Sequence, residues 1–145
     1  MTAIMATVEA QRLAGLHILV VDDNRDARNI YRSVLEHTGA LVTAVGSAPT
    51  ALRLLRHVRP DVIISDLAMP QRNGNWLIRQ LRALQSNKGG DIPALAVTAY
   101  DATYAETESL RSGFQEYLVK PVSIRQLCET IERVMSASQR HGARR

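Results

Sequence analysis

Four short apolar runs constrain this chain more than anything else in it, because each ends on a charged or hydroxyl-bearing residue. His17-Ile18-Leu19-Val20-Val21 runs into Asp22-Asp23, Val62-Ile63-Ile64-Ser65 into Asp66, Ala94-Leu95-Ala96-Val97 into Thr98, and Tyr117-Leu118-Val119 into Lys120-Pro121. Runs this short and rich in β-branched residues, with helical stretches between them, form buried strands of a parallel sheet. The strands of such a sheet all end along one edge, and ligands bind there. Three carboxylates, a hydroxyl and an ammonium from distant parts of the chain are therefore expected to meet.

The stretches between the runs read as helices. Asn24 caps a helix over about residues 25–37, with Ala27, Ile30, Tyr31, Val34 and Leu35 facing inward and Gly39 ending it. A weaker strand near Leu41–Val45 follows. Ser47 and Pro49 then open a helix that runs through Val58 and stops before Pro60. Residues 75–85 form a helix with Trp76, Leu77, Ile78, Leu81 and Leu84 on its apolar side, and Asn87-Lys88-Gly89-Gly90 is a turn. The helix over residues 104–111 is short, polar and sparsely anchored. After a strand near Glu116–Val119, Ser123 starts a last helix bearing Ile124, Leu127, Ile131, Val134 and Met135. Five strands alternating with five helices give an α/β fold, a flavodoxin-like doubly wound (βα)5 with a five-stranded parallel sheet in the order 2-1-3-4-5. Its switch point places Asp22-Asp23 and Asp66 on the two walls of one crevice.

At 145 residues, 46% hydrophobic and 22% charged, the chain suits one soluble domain. No apolar stretch approaches the roughly 18 residues of a membrane span, and the start lacks the basic and apolar regions of a secretory signal. Residues 1–15 are small and polar and read as a flexible lead, residues 16–137 as the folded domain, and residues 138–145 as a basic tail. Arg140, Arg144 and Arg145 supply three of the four net positive charges, so the basic character reads as a solvated tail rather than a nucleic-acid face. The single cysteine, Cys128, excludes an internal disulfide and fits a reducing cytoplasm. Phosphate-loop, dinucleotide-binding, Cys-x-x-Cys and His-Glu-x-x-His motifs are absent.

Gathered carboxylates repel by about 4 kcal/mol for two charges roughly 4 Å apart at an effective dielectric near 20. Either one protonates or a cation sits among them, and an all-oxygen donor set suits Mg²⁺. Asp66 is the candidate nucleophile for a phosphoryl group. Asp23 would hold the metal with Asp22 more peripheral, and the backbone carbonyl of Ala68 would complete the shell. Thr98 and Lys120 would bind the transferred oxygens, so that catalysis is positioning and charge neutralisation.

These residues resemble the receiver domain of two-component response regulators over about Leu16 to Met135. The motifs are Ile18-Leu19-Val20-Val21-Asp22-Asp23-Asn24, Ser65-Asp66-Leu67-Ala68-Met69-Pro70 with Asn73-Gly74, Val97-Thr98-Ala99, and Tyr117-Leu118-Val119-Lys120-Pro121. The resemblance implies that Asp66 is phosphorylated from a histidine kinase or a histidine phosphotransfer domain. It implies that Asp22 and Asp23 bind Mg²⁺, and that the Lys120-Pro121 bond is cis. Thr98 and Tyr117 would be the switch pair, biasing the face made by the fourth helix, fifth strand and fifth helix toward a downstream protein or attached domain. Tyr100 is large two residues after the threonine, a size that would slow water attack on the phosphoryl group. Ile92-Pro93-Ala94-Leu95-Ala96-Val97-Thr98-Ala99-Tyr100 and Gly113-Phe114 look like receivers of hybrid sensor kinases.

The expectation is thus a cytoplasmic signalling module rather than a turnover enzyme, with no direct nucleic-acid or membrane partner and a homodimer as one assembly open to it. A docking module that is never phosphorylated and a Mg²⁺-dependent aspartyl-phosphate phosphohydrolase are the alternatives. Phosphohydrolases of that type place the nucleophile in an Asp-x-Asp after the first strand, which Asp22-Asp23-Asn24 does not match. His17, His37, His57 and His141 are scattered, and Trp76 and Cys128 read as packing residues.

Overall fold

The computed structural model describes residues 9–99 and 103–143. Along the chain run β1 (His17–Val21), α1 (Arg25–His37), β2 (Leu41–Val45), α2 (Ala48–Leu54), β3 (Val62–Ser65), α3 (Gly74–Arg82), β4 (Ala94–Thr98), α4 (Thr103–Ser112), β5 (Glu116–Val119) and α5 (Ile124–Ala143), with a 3-10 turn at Ser86–Lys88 before β4. The five strands form one parallel sheet in the order β2-β1-β3-β4-β5. This is the order expected from the alternation of runs and helices.

Because successive strand residues point to opposite faces, each strand feeds two cores. Ile18, Val20, Ile64 and Val97 join Leu35, Leu127 and Ile131 of α1 and α5 on one face. Leu19, Val21, Ile63 and Ala96 join Ala51, Leu77, Ile78 and Leu81 of α2 and α3 on the other. All four residues of β3 are buried, as a central strand covered on both faces requires.

Caps set the helix starts. Asn24 accepts from the Ala27 amide at 2.9 Å, and Asn73 from the Trp76 amide at 2.8 Å, so α3 starts one residue earlier than expected. α2 stops at Leu54 rather than Val58, because the amides of Arg56 and His57 bond three residues back, to Arg53 and Leu54, and tighten the chain ahead of Pro60. Ile30 is 64% exposed and does not belong to the inward face of α1. It lies about 140° around the helix from the fully buried Leu35, outside the apolar stripe.

The flexible lead is corrected for residues 9–15. Leu13 is buried in the α1/α5-side core and its amide donates to the Thr38 carbonyl at 2.9 Å. Arg12 bridges Glu132 on α5 at 2.7 Å and the buried Glu9 at 2.9 Å. At the other end α5 continues to Ala143, so backbone residues 138–143 of the expected tail are helical. Among the described residues no helix is long and apolar enough to cross a membrane. Residues 1–8, Tyr100 and the last two arginines lie outside the described residues.

Candidate functional site

Parallel register builds the site. Val21 is level with Ser65, so the residues that follow, Asp22 and Asp66, leave the sheet side by side; the Asp66 amide donates to the Val21 carbonyl at 2.9 Å. Thr98 is level with Val119, and the Lys120 amide donates to the Thr98 carbonyl at 2.8 Å. The Lys120-Pro121 bond is cis. Gly74 opens α3 against the Asp66 backbone, where a Cβ would overlap the Asp66 carbonyl oxygen.

The carboxylates of Asp22, Asp23 and Asp66 each bring an oxygen within 4.8 Å of the others. Lys120 Nζ lies 3.3 Å from Asp22 Oδ2 and 3.5 Å from Asp66 Oδ2. Asp66 Oδ1 accepts from the Ala68 amide at 3.1 Å. Asp22 is the deepest of the three, with 1% of its surface exposed, whereas Asp23 is exposed. At that depth Asp22 needs polar partners of its own. The Asn24 amide on its Oδ1, at 2.9 Å, and the Lys120 ammonium satisfy it where water does not reach.

Burial pushes the Asp66 carboxyl above its ordinary value; the Lys120 charge and the Ala68 amide pull it down, and the Asp22 charge adds to the rise. Tyr31 of α1 lies within reach of this field. Its phenol is pushed up by burial first and then by the charges of Asp22 and Asp66. Sequence reading assigned Tyr31 only to packing and passed over Arg28, whose Nη1 donates to the Asp22 carbonyl at 2.8 Å. The one available signal was their place on α1, one and two turns after the Asn24 cap.

Thr98 is fully buried at the end of β4, and Tyr117 is half-buried on β5 opposite Ala96, packed against the α2/α3-side core. Trp76 is half-buried beneath the Arg72 guanidinium, 5.2 Å from its ring centre. His17 bonds Thr43 at 2.8 Å, away from the acidic cluster.

The family model of the response regulator receiver domain matches residues 18–132. The chain belongs to the response regulator receiver family. Receiver domains are signalling modules of two-component systems rather than typical enzymes. This receiver is 43% identical over 122 residues to an uncharacterized 14.6 kDa protein in the sodA1 3' region of Leptolyngbya boryana, covering 84% of this chain and 92% of that one. It is 36% identical over 112 residues to the response regulator MprA of Mycobacterium sp. strain KMS, covering 77% of this chain and 47% of that protein. The receiver thus spans about half the length of the MprA relatives it matches. Among solved structures it is similar to the receiver domain of the sensor histidine kinase PA1611 of Pseudomonas aeruginosa PAO1, at 29% identity and a TM-score of 0.77, covering 85% of this chain and 99% of that one. That structure has a magnesium ion coordinated in its active site cleft.

The residues present here fit such an ion. Three clustered carboxylates against one ammonium leave two net negative charges when all are ionised, on an all-oxygen donor set.

Proposed function

We propose that this receiver takes a phosphoryl group onto Asp66 from the phosphohistidine of a histidine kinase or a histidine phosphotransfer protein. The supporting observation is the clustering of Asp22, Asp23 and Asp66 at one sheet edge, with the Lys120 ammonium beside Asp22 and Asp66. An Asp66 carboxylate oxygen attacks phosphorus, the O–P bond forms, the P–N bond to the donor imidazole breaks, and that imidazole leaves with the bonding pair. An acyl phosphate on Asp66 and a neutral histidine result once the imidazole is protonated.

Asp22, Asp23, Asp66 and the Ala68 carbonyl are the groups that would hold Mg²⁺, which supplies charge neutralisation at the phosphoryl oxygens when bound. Lys120 supplies a fixed positive charge beside the acceptor, and the Ala68 amide orients the Asp66 carboxylate. Thr98 follows the phosphoryl oxygens, Tyr117 repacks, and the surface of α4, β5 and α5 passes the change to a downstream protein or an attached domain. The low apolar content of α4 suits an element that shifts. The setting we assign is the cytoplasm, where the phosphohistidine donors of two-component signalling are made.

Incubation with phosphoramidate and Mg²⁺ followed by intact-mass measurement tests this. Addition of one phosphate to the wild type, absent without Mg²⁺ and absent from Asp66→Asn, is expected. A label that persists in Asp66→Asn would move the acceptor elsewhere.

A further inference from the structure

Residues 46–60 and 67–90 carry seven cationic side chains and no carboxylate. They build α2, α3 and the turn after α3, and the two helices pack side by side. The charge of residues 1–138 is only one unit positive, so the rest of that body holds six net negative charges. The near-neutral balance conceals a local excess of cations on α2 and after α3; Arg79 is paired with Glu108 at 3.7 Å, and Asp61 and Asp91 line the neighbouring cavity with Arg59 and Asn87.

A groove of about 620 Å³ lies within this basic region. Leu52, Leu55 and Leu84 give it an apolar lining, Arg56, Arg59 and Lys88 add cations, and no lining residue is acidic or aromatic. Leu84 is 39% exposed, an apolar residue left open at the end of α3. Arg59 is held in place: its Nη1 donates to the Leu55 and Lys88 carbonyls at 3.1 and 2.9 Å, and its Nη2 to that of Asn87 at 3.0 Å. The groove is therefore braced before anything binds. Arg56 and Lys88 are exposed and have no ion pair among the described residues. Arg59 is followed by Pro60 and Asp61 and then by β3, which puts the groove at the opposite sheet edge from Asp66.

Leucines between cations call for a ligand with the inverse pattern, apolar side chains flanked by carboxylates. Nucleic acid would leave the leucines unused and find no aromatic face on which to stack. A bilayer surface is too flat to enter a concavity between two helices. We propose that this groove docks an acidic, leucine-bearing helical segment of a protein partner, independently of the chemistry at Asp66.

Fluorescence anisotropy with a labelled helical peptide of Glu and Leu, read in low and high salt, tests the proposal. Saturable binding that weakens in salt is expected. The double variant Arg56→Glu/Lys88→Glu and, separately, Leu84→Ser should each weaken it by about tenfold or more, with unchanged circular dichroism. Undetectable binding at about millimolar peptide, equal binding to both variants, or tighter binding of single-stranded DNA or anionic vesicles by the wild type would each overturn it. Self-association of the receiver through this face, seen as a rise in mass on sedimentation that the double variant abolishes, would also overturn it. Phosphate incorporation at Asp66 should be the same in all variants, which separates this proposal from the preceding one.

Discussion

Gly74 has no side chain to spare, because the Asp66 carbonyl oxygen fills the place of a Cβ and the Gly74 amide donates to Leu67 at 3.0 Å. The backbone of the acceptor loop and the start of α3 are thereby locked together. Gly74→Ala should lower stability by about 1–3 kcal/mol in urea titration and slow phosphate incorporation, since relief of the overlap moves the Asp66 backbone. A variant as stable and as fast as the wild type would contradict this. At the acidic cluster, Asp23→Asn removes an exposed carboxylate that no fold contact needs. Mg²⁺ should raise the melting temperature of the wild type and have a much smaller effect on this variant, by linkage to the folded state. The convergence of Asp22, Asp66 and Lys120 was legible in the sequence because each follows an apolar run, and a parallel sheet has one carboxyl edge. The depth of Asp22 was not legible. It depends on an ammonium 98 residues away closing over the carboxylate, a fact of tertiary packing.

Among the elements, the segment ahead of β1 carries the largest correction. Leu13, Arg12 and Glu9 sit in a stretch that is small and polar on average, and one leucine makes no period. Burial of Leu13 in the α1/α5-side core predicts that Leu13→Ala costs about 2–4 kcal/mol in urea titration. A change near zero would restore the flexible lead. The Arg12 hydrogen bonds hold the Glu132 carboxyl below its ordinary range, so the unfolded chain binds that proton more readily than the folded one. The pair's stabilisation is full above the unfolded carboxyl pKa and fades as pH falls through the folded value. Because Glu132 is largely exposed, Glu132→Gln should cost about 0.5 kcal/mol near neutral pH, and the gap should close in acid. A gap that widens in acid would reverse the sign. Helix existence and strand order were readable from periodicity. The early end of α2 was not, since backbone bonds three residues back leave no compositional trace.

At the scale of the molecule, one sheet carries two separate surfaces: acidic residues at its carboxyl edge, and the acid-free groove at the other. α3 links them, beginning against the Asp66 backbone and ending beside Leu84. Folding alone brings the groove's cations together. In sequence the two basic stretches are separated by Asp61 and Asp66, and a net count averages them away. Everything in the signalling account depends on which side chain is esterified. After phosphoramidate and Mg²⁺, borohydride reduction converts an acyl phosphate of aspartate to homoserine, and tandem mass spectrometry of the digested protein locates it. Homoserine at position 66 alone is the predicted result. Homoserine at 22 or 23, or a phosphate found on a histidine or on Thr98 with residue 66 still aspartate, would contradict the account.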